Sequence, residues 1–182
     1  MALPFDIQKG RRSLRRGRQS LSGAAYFLTM GTERRNRGLE NGLVSASLLD
    51  HAQQIEGNWN LCAAVVMPDH VHLLVDLTAS SELSEAVRLF KGRTAAVLRC
   101  HDMKWQRGYF DHRLRSNEDV LPIFLYVFLN PYRAGLMPDD QRWPGYFCSP
   151  DDWVWFDPLT SSSLPFPEWL TPHRGIKPLL QE

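Results

Sequence analysis

Two clusters in this 182-residue chain have residue types and spacing suited to chemistry. The first is Asp69-His70-Val71-His72, which runs into the apolar, β-branched stretch Leu73-Leu74-Val75. On a strand, two histidines two residues apart leave the same face of the sheet, roughly 7 Å apart along the chain, and can chelate one metal ion. The core-type neighbours put His72 in the middle of a buried strand. The second cluster lies in Phe124-Leu-Tyr-Val-Phe-Leu-Asn-Pro-Tyr-Arg-Ala-Gly-Leu136. On a helix, Tyr126 and Asn130 are i and i+4, so the phenol and the amide project from one face about a turn apart. An amide oxygen so placed can complete a metal site whose ion polarises a phosphate while the phenol attacks it. Two imidazoles, an amide oxygen and open positions suit Mg²⁺ or Mn²⁺ better than zinc, which would prefer a further Cys, His or carboxylate. Each residue also has a plain reading: His72 as a satisfied core histidine, Tyr126 as a core aromatic, Asn130 as a helix C-cap before Pro131. Tyr26, Tyr109 and Tyr132 are alternative phenols.

The elements that must position these residues follow from pattern. Ala24–Met30 is β-prone and ends at Gly31, and a basic turn, 32–38, carries Arg34, Arg35 and Arg37. From Leu39 to Ile55 the apolar spacing is helical. Leu61–Met67 and Val71–Leu77 are two apolar runs around Pro68-Asp69, which reads as a tight antiparallel hairpin. Residues 82–100 suggest an amphipathic helix with a basic outer face, and Trp105–Arg115 alternates like a fourth strand. Ser116-Asn-Glu-Asp119 has capping character before a third helix over Val120–Leu129, closed by Asn130-Pro131. Pro122 falls inside that helix, where it would delay the start or bend it. The order β-α-β-β-α-β predicts an α+β fold: a ferredoxin-like antiparallel sheet with helices on one face, followed by the helix that carries Tyr126. Beyond Met137 the chain has no periodicity and reads as an irregular tail, 138–182, wrapping over the body through Trp143, Trp153, Trp155 and Trp169.

Four segments taken together resemble the single-tyrosine HUH transposases, and most closely the REP-associated tyrosine transposases of bacteria. They are Tyr26-Phe-Leu-Thr29 with Arg34-Arg35-Asn36, Val66-Met-Pro-Asp-His-Val-His-Leu-Leu-Val75, Trp105-Gln-Arg-Gly-Tyr-Phe-Asp-His-Arg-Leu-Arg115, and Tyr126-Val-Phe-Leu-Asn-Pro-Tyr-Arg-Ala-Gly-Leu136, in family order across residues 24–137. The resemblance implies that His70 and His72 bind the metal, that Asn130 stands where the family places its third, amide ligand, and that Tyr126 is the nucleophile. The implied reaction is transesterification of single-stranded DNA through a 5′-phosphotyrosine, on palindromic repeats folded as hairpins beside a short single-stranded guide. It also delimits a catalytic domain over residues 23–137.

Charge agrees with a nucleic-acid partner. Residues 1–20 carry Lys9, Arg11, Arg12, Arg15, Arg16 and Arg18 against Asp6 alone, so a segment of +5 precedes a remainder of −4 in a chain of net +1. Residues 1–22 read as a disordered basic arm. Candidate DNA contacts are Arg11, Arg12, Arg15 and Arg16 in the arm, Arg34 and Arg35 in the turn, and Lys91, Lys104, Arg107, Arg113 and Arg115 further on, with Trp105 available to stack on a base. Cys62, Cys100 and Cys148 are an odd number without CxxC spacing, which argues against a disulfide framework or structural zinc. No apolar run of membrane-spanning length and no signal peptide occur, so a cytoplasmic protein is expected, as monomer or homodimer. A metal-dependent hydrolase would need further ligands near the pair. His51, His101, His112 and His173 show no such spacing, and only Asp69 and Asp76 are close. A non-catalytic hairpin-DNA-binding protein is the other alternative.

Overall fold

Alternation in two neighbouring strands organises the molecule. The computed structural model describes residues 20–55, 57–138 and 141–151. It contains β1 (Ala25–Gly31), a short 3₁₀ turn (Glu33–Arg35), α1 (Gly42–Gln53), β2 (Trp59–Met67), β3 (His70–Leu77), α2 (Leu83–Arg99), β4 (Phe110–Arg113), α3 (Leu121–Arg133) and β5 (Tyr146–Cys148). The sheet has the order β4-β1-β3-β2-β5, with every neighbouring pair antiparallel. This is the expected ferredoxin-like order 4-1-3-2 with one strand added at the β2 edge.

Side chains alternate across a strand, so β1 and β3 each supply two layers. Tyr26, Leu28 and Met30 of β1 and Val71, Leu73 and Val75 of β3 join the core built with α1 and α2. Phe27 and Leu74 face the other way, into the core built with α3. The helices therefore divide between the faces, α1 and α2 on one and α3 on the other. Among the described residues no helix is long and apolar enough to cross a membrane.

Several boundaries differ from expectation for local reasons. Helix α1 begins after Asn41, whose side chain accepts from Leu43 N at 3.0 Å, so the expected helical residue Leu39 lies in the preceding turn, fully buried. Leu43, counted in the apolar stripe, is 81% exposed. Strand β4 is shorter than Trp105–Arg115; Trp105 makes only an isolated bridge to Thr32 before the chain leaves the ladder. Pro122 sits in the first turn of α3, where its missing N–H has no intrahelical partner anyway, so it starts the helix. Asp119 Oδ1 accepts from Leu121 N at that end.

Nor does Pro131 stop α3. The helix continues to Arg133 and ends two residues later at Gly135, whose φ of 64° fits the left-handed closing position. Leu136 N donates to Pro131 O at 2.9 Å and Gly135 N to Tyr132 O at 3.0 Å, the paired bonds of a Schellman ending. After α3 the chain is not wholly irregular. Trp143 donates Nε1–H to Val66 O at 2.9 Å, and Tyr146–Cys148 pairs with Ala63–Val65 as β5. Trp153, Trp155 and Trp169 lie outside the described residues. At the other end, residues expected in the arm are tied to the body: Leu83 N donates to Ser20 Oγ and Leu21 N to Tyr26 Oη.

Candidate functional site

The pairing of β1 with β3, whose first residue His70 follows the tight turn at Pro68-Asp69, has the register that builds the site. It pairs Gly31 with His70, Thr29 with His72 and Phe27 with Leu74, and opposite partners share a face. Along the α3 face the pairs thus change from apolar, Phe27/Leu74, to polar, Thr29/His72, to Gly31 beside His70. The histidine rings lie edge to face, with Nε2 of His70 and Nε2 of His72 only 3.0 Å apart. Their outer nitrogens are held as well: His70 Nδ1 by Asp69 Oδ1 at 2.5 Å and His72 Nδ1 by Thr29 Oγ1 at 2.8 Å. Asp69 is held in turn by Arg35 at 3.2 Å.

These contacts constrain the protons. A carboxylate only accepts, so His70 carries its proton on Nδ1, and its Nε2 in the neutral ring is a bare lone pair. His72 faces that lone pair with its own Nε2. Either it donates a proton across the gap, with the Thr29 hydroxyl donating to its Nδ1, or both lone pairs converge on a cation, with Thr29 accepting from Nδ1–H. The hydroxyl rotor can serve both states. Burial pushes His72 well below its ordinary 6.5, and the charges of His70 and Arg35 push the same way. Burial also lowers His70, against the raising pull of its Asp69 hydrogen bond and charge, with Arg35 a smaller lowering influence. Both rings are therefore neutral near pH 7, the state a metal ligand requires.

The spacing of the two nitrogens fits an octahedral divalent ion. For bonds of about 2.1 Å, adjacent ligands of an octahedron stand about 3.0 Å apart, which is the spacing the two Nε2 atoms have. Among the described residues no group of three or more His, Cys, Asp or Glu side chains could hold a metal ion. A third protein ligand would have to come from a neutral oxygen.

Helix α3 brings the phenol to this pair. The Tyr126 ring centroid is 5.3 Å from that of His72 and 5.9 Å from that of Phe27, and Phe27 stacks on His72 at 5.2 Å. The other phenols are elsewhere. Tyr26 points to the α1/α2 face, Tyr109 packs against that same core, and Tyr132 bonds Gln141 O and Trp143 N. Asn130 follows Tyr126 by one turn and is half-buried, without a hydrogen bond to either imidazole. Arg133, which the pattern did not single out, reaches back so that its guanidinium lies 5.7 Å from the Tyr126 ring centroid. Residues 126, 130 and 133 are i, i+4 and i+7, one stripe of α3.

The expected DNA contacts separate into groups. Arg34, Arg35, Lys104 and Arg107 are exposed, and Glu33 N to Lys104 O, with the Thr32–Trp105 bridge, gathers their loops at the histidine end of β1. Arg113 is exposed opposite Tyr26, three pairs from His72 and on the other face. Arg115, also exposed, donates its backbone N–H to Glu118. Two candidates have structural work instead. Trp105 donates Nε1–H to Thr94 Oγ1 at 2.9 Å and packs on Phe90, so its ring is a core anchor and not a free base platform. Lys91 donates to Gln106 O at 2.9 Å and Gly108 O at 2.7 Å. Arg11, Arg12, Arg15 and Arg16 lie outside the described residues.

Comparison with known proteins agrees with this architecture. The chain is 24% identical over 131 residues to a REP-associated tyrosine transposase of Escherichia coli, covering 70% of this chain and 78% of that one. A Haemophilus influenzae protein assigned to the same group is 22% identical over 143 residues, 70% of this chain and 81% of that one. The fold matches a solved REP-associated tyrosine transposase bound to a REP hairpin, with a TM-score of 0.56 and 22% identity over 66% of this chain and 73% of that one. Residues 20–122, more than half of the sequence, match the family described as transposase IS200-like. The chain belongs to the transposase IS200-like family.

Proposed function

We propose that the protein cleaves and rejoins single-stranded DNA beside a hairpin, with Tyr126 as nucleophile and a divalent cation held by His70 and His72. The observation that carries this reading is the meeting of three residues from two distant segments: Tyr126 against His72, and His72 nitrogen to nitrogen with His70. The relatives' association with REP elements, and the hairpin bound in one of them, support a hairpin substrate.

His70 and His72 would hold Mg²⁺ or Mn²⁺ through Nε2, with Asn130, one turn beyond Tyr126 on α3, as the amide oxygen donor. When bound, the ion would offset negative charge on the scissile phosphate. The chain's own residues do the rest. Tyr126 Oη attacks phosphorus, the bond from phosphorus to the 3′ oxygen breaks, the phenolic proton is lost to solvent and the 3′ oxygen gains one. The phosphodiester is exchanged for a phosphotyrosine, so a later attack by a 3′-OH can rejoin strands without a nucleotide cofactor. Arg133 lies over Tyr126 where it can meet a phosphate oxygen. Arg34, Arg35, Lys104 and Arg107 line the approach to the histidine end.

Incubation with an end-labelled hairpin carrying a single-stranded flank and Mn²⁺ tests the reading. A denaturation-resistant protein–DNA adduct is expected, lost in Tyr126→Phe and retained in Tyr132→Phe. Persistence of the adduct in Tyr126→Phe would move the nucleophile elsewhere. Released product without adduct would favour a hydrolase, and binding without product a non-catalytic hairpin binder.

A further inference from the structure

Gly31 ends β1 with ordinary strand geometry, so what its position requires is the lack of a side chain. A Cβ there would collide with the Gln106 amide nitrogen and stand 3.3 Å from Gln106 Cδ. Since Gly31 is paired directly with His70, that absent Cβ would point to the α3 face, as the His70 side chain does. Opposite Cβ positions in an antiparallel pair are about 4.5–5.5 Å apart. The amide of Gln106 therefore lies over Gly31, immediately beside His70.

The surrounding segment is fastened in a way that presents this amide. Gln106 N donates to Gly31 O at 2.8 Å, Thr32 bridges Trp105, and the Trp105 indole is anchored on Thr94. From α2, Lys91 holds the carbonyls of Gln106 and Gly108. The amide itself, half-buried, has no hydrogen-bond partner among the described residues. Tyr126 packs at the level of Phe27 and His72, while Gln106 sits at the level of Gly31 and His70, so the histidine pair lies between them.

We propose that Gln106 is a substrate-contacting residue: its amide N–H groups hold a non-bridging oxygen of the phosphate that Tyr126 attacks. The role rests on the proposed function above. It also accounts for the segment 105–109 as the mount of a polar group and not a fourth-strand residue pattern. An uncharged amide suits this place, because a cation beside His70 would compete with the divalent ion and a carboxylate would repel the phosphate.

Two measurements on the full chain test it: Mn²⁺ affinity by calorimetry without DNA, and single-turnover adduct formation on the flanked hairpin. In Gln106→Ala the adduct rate is expected to fall about tenfold or more while Mn²⁺ affinity stays within about twofold. Gly31→Ala, which displaces the amide without removing it, should behave alike. Gln106→Glu, equal in size, should lose more rate than Gln106→Ala, and thermal melting checks that each variant is folded. An unchanged rate in Gln106→Ala and Gln106→Glu overturns the proposal. So does Mn²⁺ affinity that falls in step with the rate, or rises in Gln106→Glu, which would make Gln106 a metal ligand. A wild-type protein that forms no adduct fails differently, overturning the role of Tyr126 and this contact with it.

Discussion

The two faces of the sheet are made by the same strands and solve opposite problems. Toward α1 and α2, β1 and β3 present Tyr26, Leu28, Met30, Val71, Leu73 and Val75, all at most 3% exposed. Two of its polar groups are closed off locally: Trp59 Nε1 donates to Ala52 O and Thr94 Oγ1 to Phe90 O. Toward α3 the apolar layer stops at Phe27 and Leu74, and His72, 2% exposed, takes the next position. Burying an imidazole costs free energy unless both nitrogens are matched, and here one of them is matched only by another imidazole. The difference teaches where stability and function are separable: the α1/α2 face specifies the fold, and the α3 face holds groups whose arrangement the fold alone does not need.

The sharpest break in that comparison sets one residue from each face against the other. Tyr126→Phe removes one oxygen from a half-buried ring, so melting should barely move while adduct formation falls roughly 10³-fold or more. Leu28→Ala empties a fully buried position on the opposite face and should cost about 2–5 kcal/mol in chemical denaturation. Its adduct rate per folded molecule should remain that of the wild type. Equal losses of stability in both variants would show that the faces are not separable.

Much of this division was legible in the sequence and some was not. The β-prone and apolar, β-branched runs identify both strands, and the spacing of His70 and His72 identifies one shared face. Register is what escapes: nothing local says that Thr29 lies opposite His72, or that Gly31 lies opposite His70 under Gln106. Gly31 reads as a strand terminator when its use is to leave room. Pro131 looked like a helix stop, yet the stop is Gly135, since a proline near the last turn loses one hydrogen bond while a Schellman ending needs a left-handed residue. β5 has three residues, too few for any periodicity to show, and forms because the edge of β2 is open to it. Arg133 was hidden because a long side chain reaching back two turns is a matter of conformation, not spacing.

A second effect exploits acid. His70 and His72 are both lowered in the folded protein by burial, whereas in the unfolded chain each titrates near 6.5. The unfolded state therefore binds protons first as pH falls, so the histidines' contribution is intact above about 6.5 and is lost below it. In EDTA, stability should decline below pH 6.5 by at most about 1.4 kcal/mol per pH unit for each histidine. Denaturation midpoints measured from roughly pH 7.5 to 5 should show a shallower slope for His72→Gln. An equal slope would mean that the α3 face carries no buried neutral pair.

Next in size is the hydroxyl that orients the pair. Thr29→Val keeps shape and strand preference but removes the partner of His72 Nδ1, at 2.8 Å. Groups that orient a ligating histidine typically contribute 10–100-fold in metal affinity, so Mn²⁺ binding should weaken about tenfold. Thr32→Val, on the same strand's exit but bonded to Asn36 O and Asp69 O, is the matched control. Loss of Mn²⁺ affinity in Thr32→Val alone would shift the orienting role from Thr29 to the Asp69 turn.

The smallest effect tests whether the two faces communicate. Lys91 belongs to α2, on the closed side, yet its ammonium holds Gln106 O and Gly108 O beside the site. Lys91→Met retains the aliphatic stem and removes both hydrogen bonds, at a cost of about 1 kcal/mol for a half-buried group. Mn²⁺ affinity should be unchanged, because neither histidine touches Lys91, while adduct formation should slow by a few-fold as the loop carrying Gln106 loosens. A Lys91→Met protein with wild-type rate and lowered stability would confine α2 to the fold. A slower rate at wild-type metal affinity would make Lys91 the link through which the closed face positions a group on the open one.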